Sequence, residues 1–143
     1  MDRLKTTQNK ALRIITFSSP LTNVDNLFEQ FKILNIFQLV RFKTGILIKN
    51  ILDGLLIIPS VIPNVLPHNF STRGRDSINL VNYSVRNNYG KFHILHLAHH
   101  VWNAIPIEIK TEKSISVFKR ELKELLLRDF KDRNIYRFFI NIV

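Results

Sequence analysis

The run from Asn35 to Asp53 constrains this chain most, because Ile36, Phe37, Leu39, Val40, Phe42, Ile46, Leu47, Ile48, Ile51 and Leu52 leave little of a helix surface polar. The polarity that remains falls at Gln38, Arg41, Gly45, Lys49 and Asp53, and these steps of three and four trace one thin stripe. A helix that is apolar around most of its circumference has to be surrounded, so this segment is expected to be the central helix on which the others pack. Gly54 follows as a left-handed C-terminal stop. The segment is not expected to span a membrane. Between Ile46 and Leu66 the chain carries Lys49, Asp53, Gly54, Pro59 and Pro63, which would put charges and helix breaks inside the bilayer.

The flanking segments supply partners for that helix. Near the start, Leu4, Ala11, Leu12 and Ile15 share one face of a helical period while Lys5, Asn9, Arg13 and Thr16 share the other, giving an amphipathic helix with a basic back. Ser18, Ser19 and Pro20 end it, and Thr22 or Asn23 can cap a short helix over the next eight residues. Towards the end, Ser114 is a candidate N-cap for a helix through about Asp129, with Ile115, Phe118, Leu122, Leu125 and Leu126 on one face and the pairs Arg120/Glu124 and Glu124/Arg128 outside. Before it, a short helix is expected over Leu97 to Asn103, closed by Pro106. Residues 55–76, with Pro59, Pro63 and Pro67, read as an extended loop. Ile78-Asn79-Leu80-Val81 and Lys91-Phe92-His93-Ile94-Leu95 read as two short strands. The expected fold is mainly α: a small helical domain over residues 1–130 with a minor two-stranded antiparallel β element, then an apolar tail at 131–143.

Lys and Arg outnumber Asp and Glu by 21 to 11, a formal charge of +10, which implies a polyanionic partner, with nucleic acid ahead of acidic lipid. The chemistry of a catalyst is missing. There is no cysteine, the four glycines are too dispersed for a phosphate loop, no serine lies in a nucleophile elbow, and no adjacent Asp-Asp pair could hold the two metals of a polymerase. His93, His96, His99 and His100 are close in sequence, and His96 with His100 has the spacing of two ligands on one helix face. The glutamate of a metalloprotease pattern is absent after His96, and surface or half-buried rings are the expected reading. No metal, cofactor or small-molecule substrate is expected. The polar start, with no apolar core for a signal peptide, predicts a chain kept in the cytoplasm or nucleus. The residues placed to meet phosphates are Lys5, Asn9 and Arg13 on the first helix, then Arg73, Arg75, Arg86 and Lys91. Among these, Tyr83, Tyr89 and Phe92 are expected to pack inward.

Several stretches resemble a known family. Gln8-Asn9-Lys10-Ala11-Leu12-Arg13-Ile14-Ile15-Thr16 is similar to the helix that follows the polymerase domain in reverse transcriptases of jockey-like and related non-LTR retrotransposons. Asn88-Tyr89-Gly90-Lys91-Phe92, Val101-Trp102-Asn103-Ala104-Ile105-Pro106 and Ser114 to Lys123 resemble the closing segment of the same polyproteins, and Thr72-Arg73 falls where that family has a similar dipeptide. The resemblance covers residues 4–128, departing where Ala98-His99 stand in place of the family's Gly-Pro. It implies a non-catalytic, thumb-like or post-thumb piece of an RNA-directed DNA polymerase that contacts template and primer, and it carries over no catalytic residue. On that resemblance Trp102, Pro106 and Phe118 are structural anchors, Trp102 holding the face of Phe118 and Leu122. The rival readings are a retroelement remnant without function, a scaffold docking on polymerase domains, and a basic amphipathic binder of membrane surfaces.

Overall fold

In a computed structural model, the protein is described at residues 2–56, 79–80 and 94–128. These residues are mainly helical. In chain order the helices are α1 (Asp2–Ile15), α2 (Val24–Gln30), α3 (Ile36–Leu52), α4 (Ile94–Ala104), α5 (Ile107–Lys110) and α6 (Ile115–Arg128). Helix α3 is the centre, with α4 and α6 packed on it and α1 touching it, α2 lying against α1, and α5 against α6.

Local chemistry sets the helix ends. Asn23 caps α2 by accepting the Asp25 N–H at 3.0 Å. Asn35 caps α3 in a reciprocal box: its side chain accepts the Gln38 N–H at 3.0 Å, and the Gln38 side chain accepts the Asn35 N–H at 2.9 Å. Three helices stop in the same way. Beyond α1, α2 and α3, the residues Phe17, Lys32 and Gly54 take positive φ, and the next N–H reaches back to the carbonyls of Arg13, Phe28 and Asn50 respectively. Gly54 fills that position as its sequence predicts. Phe17 and Lys32 fill it with a Cβ, at a cost of about 1 kcal/mol each.

The main core gathers Ile48 from α3, Ala98 and Trp102 from α4, Ile105, and Phe118, Leu122 and Leu126 from α6, with Leu34 and Leu80 at its edges. Trp102 is 1% exposed and Phe118 fully buried, their rings 6.2 Å apart and tilted by 34°. A second, smaller cluster of Leu12, Val24, Leu27 and Phe28 joins α1 to α2.

Three residues of the stripe on α3 face inward. Gln38, Gly45 and Lys49 are all buried, while Leu39 and Leu47 are more than a third exposed. Each inward residue has a task there. The Gln38 amide donates to the Leu126 carbonyl at 2.6 Å, in the last turn of α6, where carbonyls lack helical partners. The Lys49 ammonium donates to the Lys110 carbonyl at the end of α5 at 3.3 Å, pairs with Asp53 at 3.1 Å and lies 5.9 Å from the Phe118 ring centre. Gly45 lets α6 approach, since a Cβ there would sit 2.8 Å from the Leu122 Cδ2 and 3.5 Å from the Ile105 Cδ1.

Several expectations need correcting. Among the described residues there is no strand: Ile94 and Leu95 belong to α4, which starts three residues before the expected Leu97, and the remainder of the second stretch lies outside the described residues, as do Ile78 and Val81. Leu80 instead finds its partner in a side chain. The Asn103 amide accepts the Leu80 N–H at 2.9 Å and donates to the Leu80 carbonyl at 3.0 Å, supplying the donor and acceptor that a neighbouring strand would supply. Helix α4 runs unbroken through Ala98-His99, and α5 was not anticipated; Pro106 stands at its N-cap with an extended ψ of 149°. Helix α1 is rotated from the expected orientation. Leu12 alone of its apolar face is buried, and Leu4, Ala11 and Ile15 are exposed. The expected tail at 131–143 lies outside the described residues, as does the loop from residue 57 to residue 76.

Two substitutions test this packing. Gly45→Val forces two branched methyls into the α3–α6 contact and is expected to lower stability by about 2 kcal/mol in urea titration. Trp102→Ala removes the largest core side chain and is expected to lower it by about 3–5 kcal/mol; an unchanged denaturation midpoint would reject its anchoring role.

Candidate nucleic-acid interface

The basic residues selected from the sequence go to different places. Lys5 is exposed on α1. Asn9 and Arg13 are half-buried, on the face that turns towards α2. The Arg13 guanidinium donates through Nη2 to the Thr22 carbonyl at 3.3 Å, and its Nε is buried without a hydrogen-bond partner. On the same side Gln8 donates to the Leu34 carbonyl at 3.0 Å, and the Thr16 hydroxyl bonds to the Leu12 carbonyl at 2.8 Å. Arg13 therefore ties the end of α1 to the turn that enters α2 and is a poor phosphate ligand. Arg73, Arg75, Arg86 and Lys91 lie outside the described residues, as do Tyr83, Tyr89 and Phe92. Trp102 and Phe118 are enclosed in the core, where no base can stack on them, and Pro106 is exposed at the start of α5.

The structure gathers a different set of cations. A groove of about 850 Å³ opens between α2, the turn after it and the second half of α6. Phe28, Ile33 and Leu127 give it an apolar lining, and Lys32, Arg120, Lys123 and Arg128 bring four cations to it. The opposing acids are Glu29 and Glu124, and Glu124 is shared with Arg128 at 3.8 Å, one helical turn away on the same face. Both partners of that pair are more than half exposed, so it contributes little and leaves the arginine able to exchange for another anion. Lys119 adds a further exposed cation on the same helix.

Geometry explains how these residues come together. Gln38 bonds the last turn of α6 to the first turn of α3, which sets the basic outer face of α6 beside the α2–α3 turn. Lys32 sits at the left-handed residue that reverses the chain there. Of the groove cations, the sequence pattern named Arg120 and Arg128 only as halves of helical pairs with Glu124. The surplus of Lys119, Arg120, Lys123 and Arg128 over Glu121 and Glu124 on α6 was a readable signal of a basic face. Lys32 became part of it only through the fold.

His96, His99 and His100 are placed in α4, and His93 lies outside the described residues. His99 is buried, and its ring centre lies 3.9 Å from that of His100. Among the described residues no group of three or more His, Asp or Glu is placed to hold a metal ion. The groove has cations to bind an anion.

Arg13→Ala should act on folding rather than on binding. Losing the bond to Thr22 is expected to lower stability by about 1 kcal/mol in denaturant titration, with oligonucleotide affinity at matched salt nearly unchanged. Compared with known protein families, curated proteins and solved structures, the chain matches none.

Proposed function

We propose that this chain is a non-catalytic helical module that holds nucleic-acid backbone, a counterpart of the segment that follows the palm in reverse transcriptases of non-LTR retrotransposons. The observation that carries the binding role is the cation surplus of the groove, where Lys32, Arg120, Lys123 and Arg128 face two carboxylates. Such a row of cations can release the counterions condensed on the phosphates of a strand, and the gain is independent of base sequence. The formal charge of +10 supports the same reading through long-range attraction. The parentage rests on the order and spacing of the resembling stretches from residue 4 to residue 128. Polymerase domains of the parent element are further partners on this reading, and the setting is intracellular.

Salt titration of binding to single-stranded, duplex and hybrid oligonucleotides tests the proposal. The logarithm of affinity should fall linearly with the logarithm of salt, and Lys32→Ala, Arg120→Ala and Lys123→Ala should each reduce the slope by about one. Salt-insensitive binding, or a slope unchanged in the triple variant, would sink the role of the groove. The parentage is tested separately, by whether the genomic DNA preceding the Met1 codon encodes a polymerase palm.

A further inference from the structure

The outward face of α1 is apolar and cationic together. Leu4 is 59% exposed, Ile14 73% and Ile15 72%, and just past the helix Phe17 and Leu21 are 96% and 95% exposed. Leu4, Ala11 and Ile15 stand at steps of seven and four, one above another on the helix surface. Arg3 and Lys10, seven apart and both exposed, form a row beside them, with Ile14 on the same side. Just past the helix end, Phe17 stands in the left-handed backbone region that a residue with a Cβ disfavours. A strained and fully solvated phenylalanine combines two unfavourable features. The hydrogen bonds of the helix stop offset the first, and an apolar contact made outside the free chain would offset the second.

We infer that this face, Leu4, Ile14, Ile15, Phe17 and Leu21 with Arg3 and Lys10, lies on an anionic lipid surface. Charge selects the occupant. From Met1 to Val24 the chain has four cations, Arg3, Lys5, Lys10 and Arg13, and a single acid, Asp2. Pairing α1 with α1 of a second copy would bring cation rows together with almost no carboxylate to answer them. An anionic bilayer answers Arg3 and Lys10, the exposed cations of this face. Shape points the same way, because the groove of the molecule lies elsewhere, against α2 and α6, and this surface is a convex helix with two side chains standing beyond its end. Such side chains need no matching sockets in a fluid interface. Helix α1 would lie along the surface, since none of the helices in the described residues is long and apolar enough to cross a membrane.

The surface is separate from the groove proposed for nucleic acid, so the two can be tested apart. The full chain is sedimented with phosphatidylcholine vesicles made with and without phosphatidylserine. As the chain has no cysteine, Ser19→Cys beside the patch and Ser116→Cys on α6 each carry one environment-sensitive fluorophore. The expected result is capture by the anionic vesicles only, a blue shift for the label at 19 and none at 116, and partitioning lowered about tenfold in Phe17→Ser/Leu21→Ser. That double variant should keep its oligonucleotide affinity. Undiminished capture of the double variant would overturn the inference, since charge alone would then hold the chain. So would a dimer in sedimentation velocity that the same double variant abolishes, which would assign the face to a second copy.

Discussion

The carbonyls at the ends of α5 and α6 need donors, and the packing of the molecule follows from how α3 provides them. A helix leaves its last carbonyls without internal partners, and burying such groups unpaired costs about as much as losing a hydrogen bond. Gln38 supplies an amide to Leu126 and Lys49 an ammonium to Lys110. Between those two points α3 presents Gly45, so the neighbouring side chains of Leu122 and Ile105 can come against its backbone. The three residues share one face of the helix, at steps of seven and four. That face fixes both the angle and the depth at which α6 sits, and the Trp102–Phe118 contact fills the space so defined. Lys110 joins the arrangement from the other side, with its ammonium on the Asn79 side chain at 2.8 Å and 5.9 Å from the Trp102 ring centre.

How legible this was depended on the kind of interaction involved. Apolar periodicity was enough for α3 and α6: Phe118, Leu122 and Leu126 repeat at helical steps and are buried, and Gly54 and Asn23 do what a helix stop and a cap do locally. Periodicity could not say that the polar stripe of α3 faces inward, because a stripe of Gln, Gly and Lys has the same pattern whether it meets water or two orphan carbonyls. Nor could β-propensity at residues 78–81 reveal that the Leu80 backbone is answered by an asparagine side chain 23 residues away. Both depend on groups that come together only after the chain has folded.

Helix α1 shows the same limit from the opposite direction. Its apolar residues suggested which face to bury, and the polar residues decided otherwise. Gln8 reaches the Leu34 carbonyl, Arg13 reaches the Thr22 carbonyl, and Thr16 bonds to both the Leu12 carbonyl and the Ser18 hydroxyl. These bonds hold one side of the helix against the turn and α2, with Leu12 as the only apolar residue of α1 between them. Leu4, Ala11 and Ile15 are left on the flank. Of the α1 residues expected to meet phosphate, Arg13 is committed to the fold while Lys5 stays exposed.

The distribution of cations follows from that exchange. Lys49 and Lys110 are buried and satisfied among aromatic rings and carbonyls, Arg13 is tied to a turn, and none of the three is free to meet a partner. Two groups of the cations left on the described surface differ in character. Around the groove, cations accompany an apolar lining in a concavity; along α1, cations accompany protruding apolar side chains on a convex face. A rigid phosphate chain can be followed by a concave row of charges, whereas a soft anionic surface is met best by a convex one. Among the described residues these are two local surpluses on surfaces of opposite curvature, and each has to be judged by its own shape.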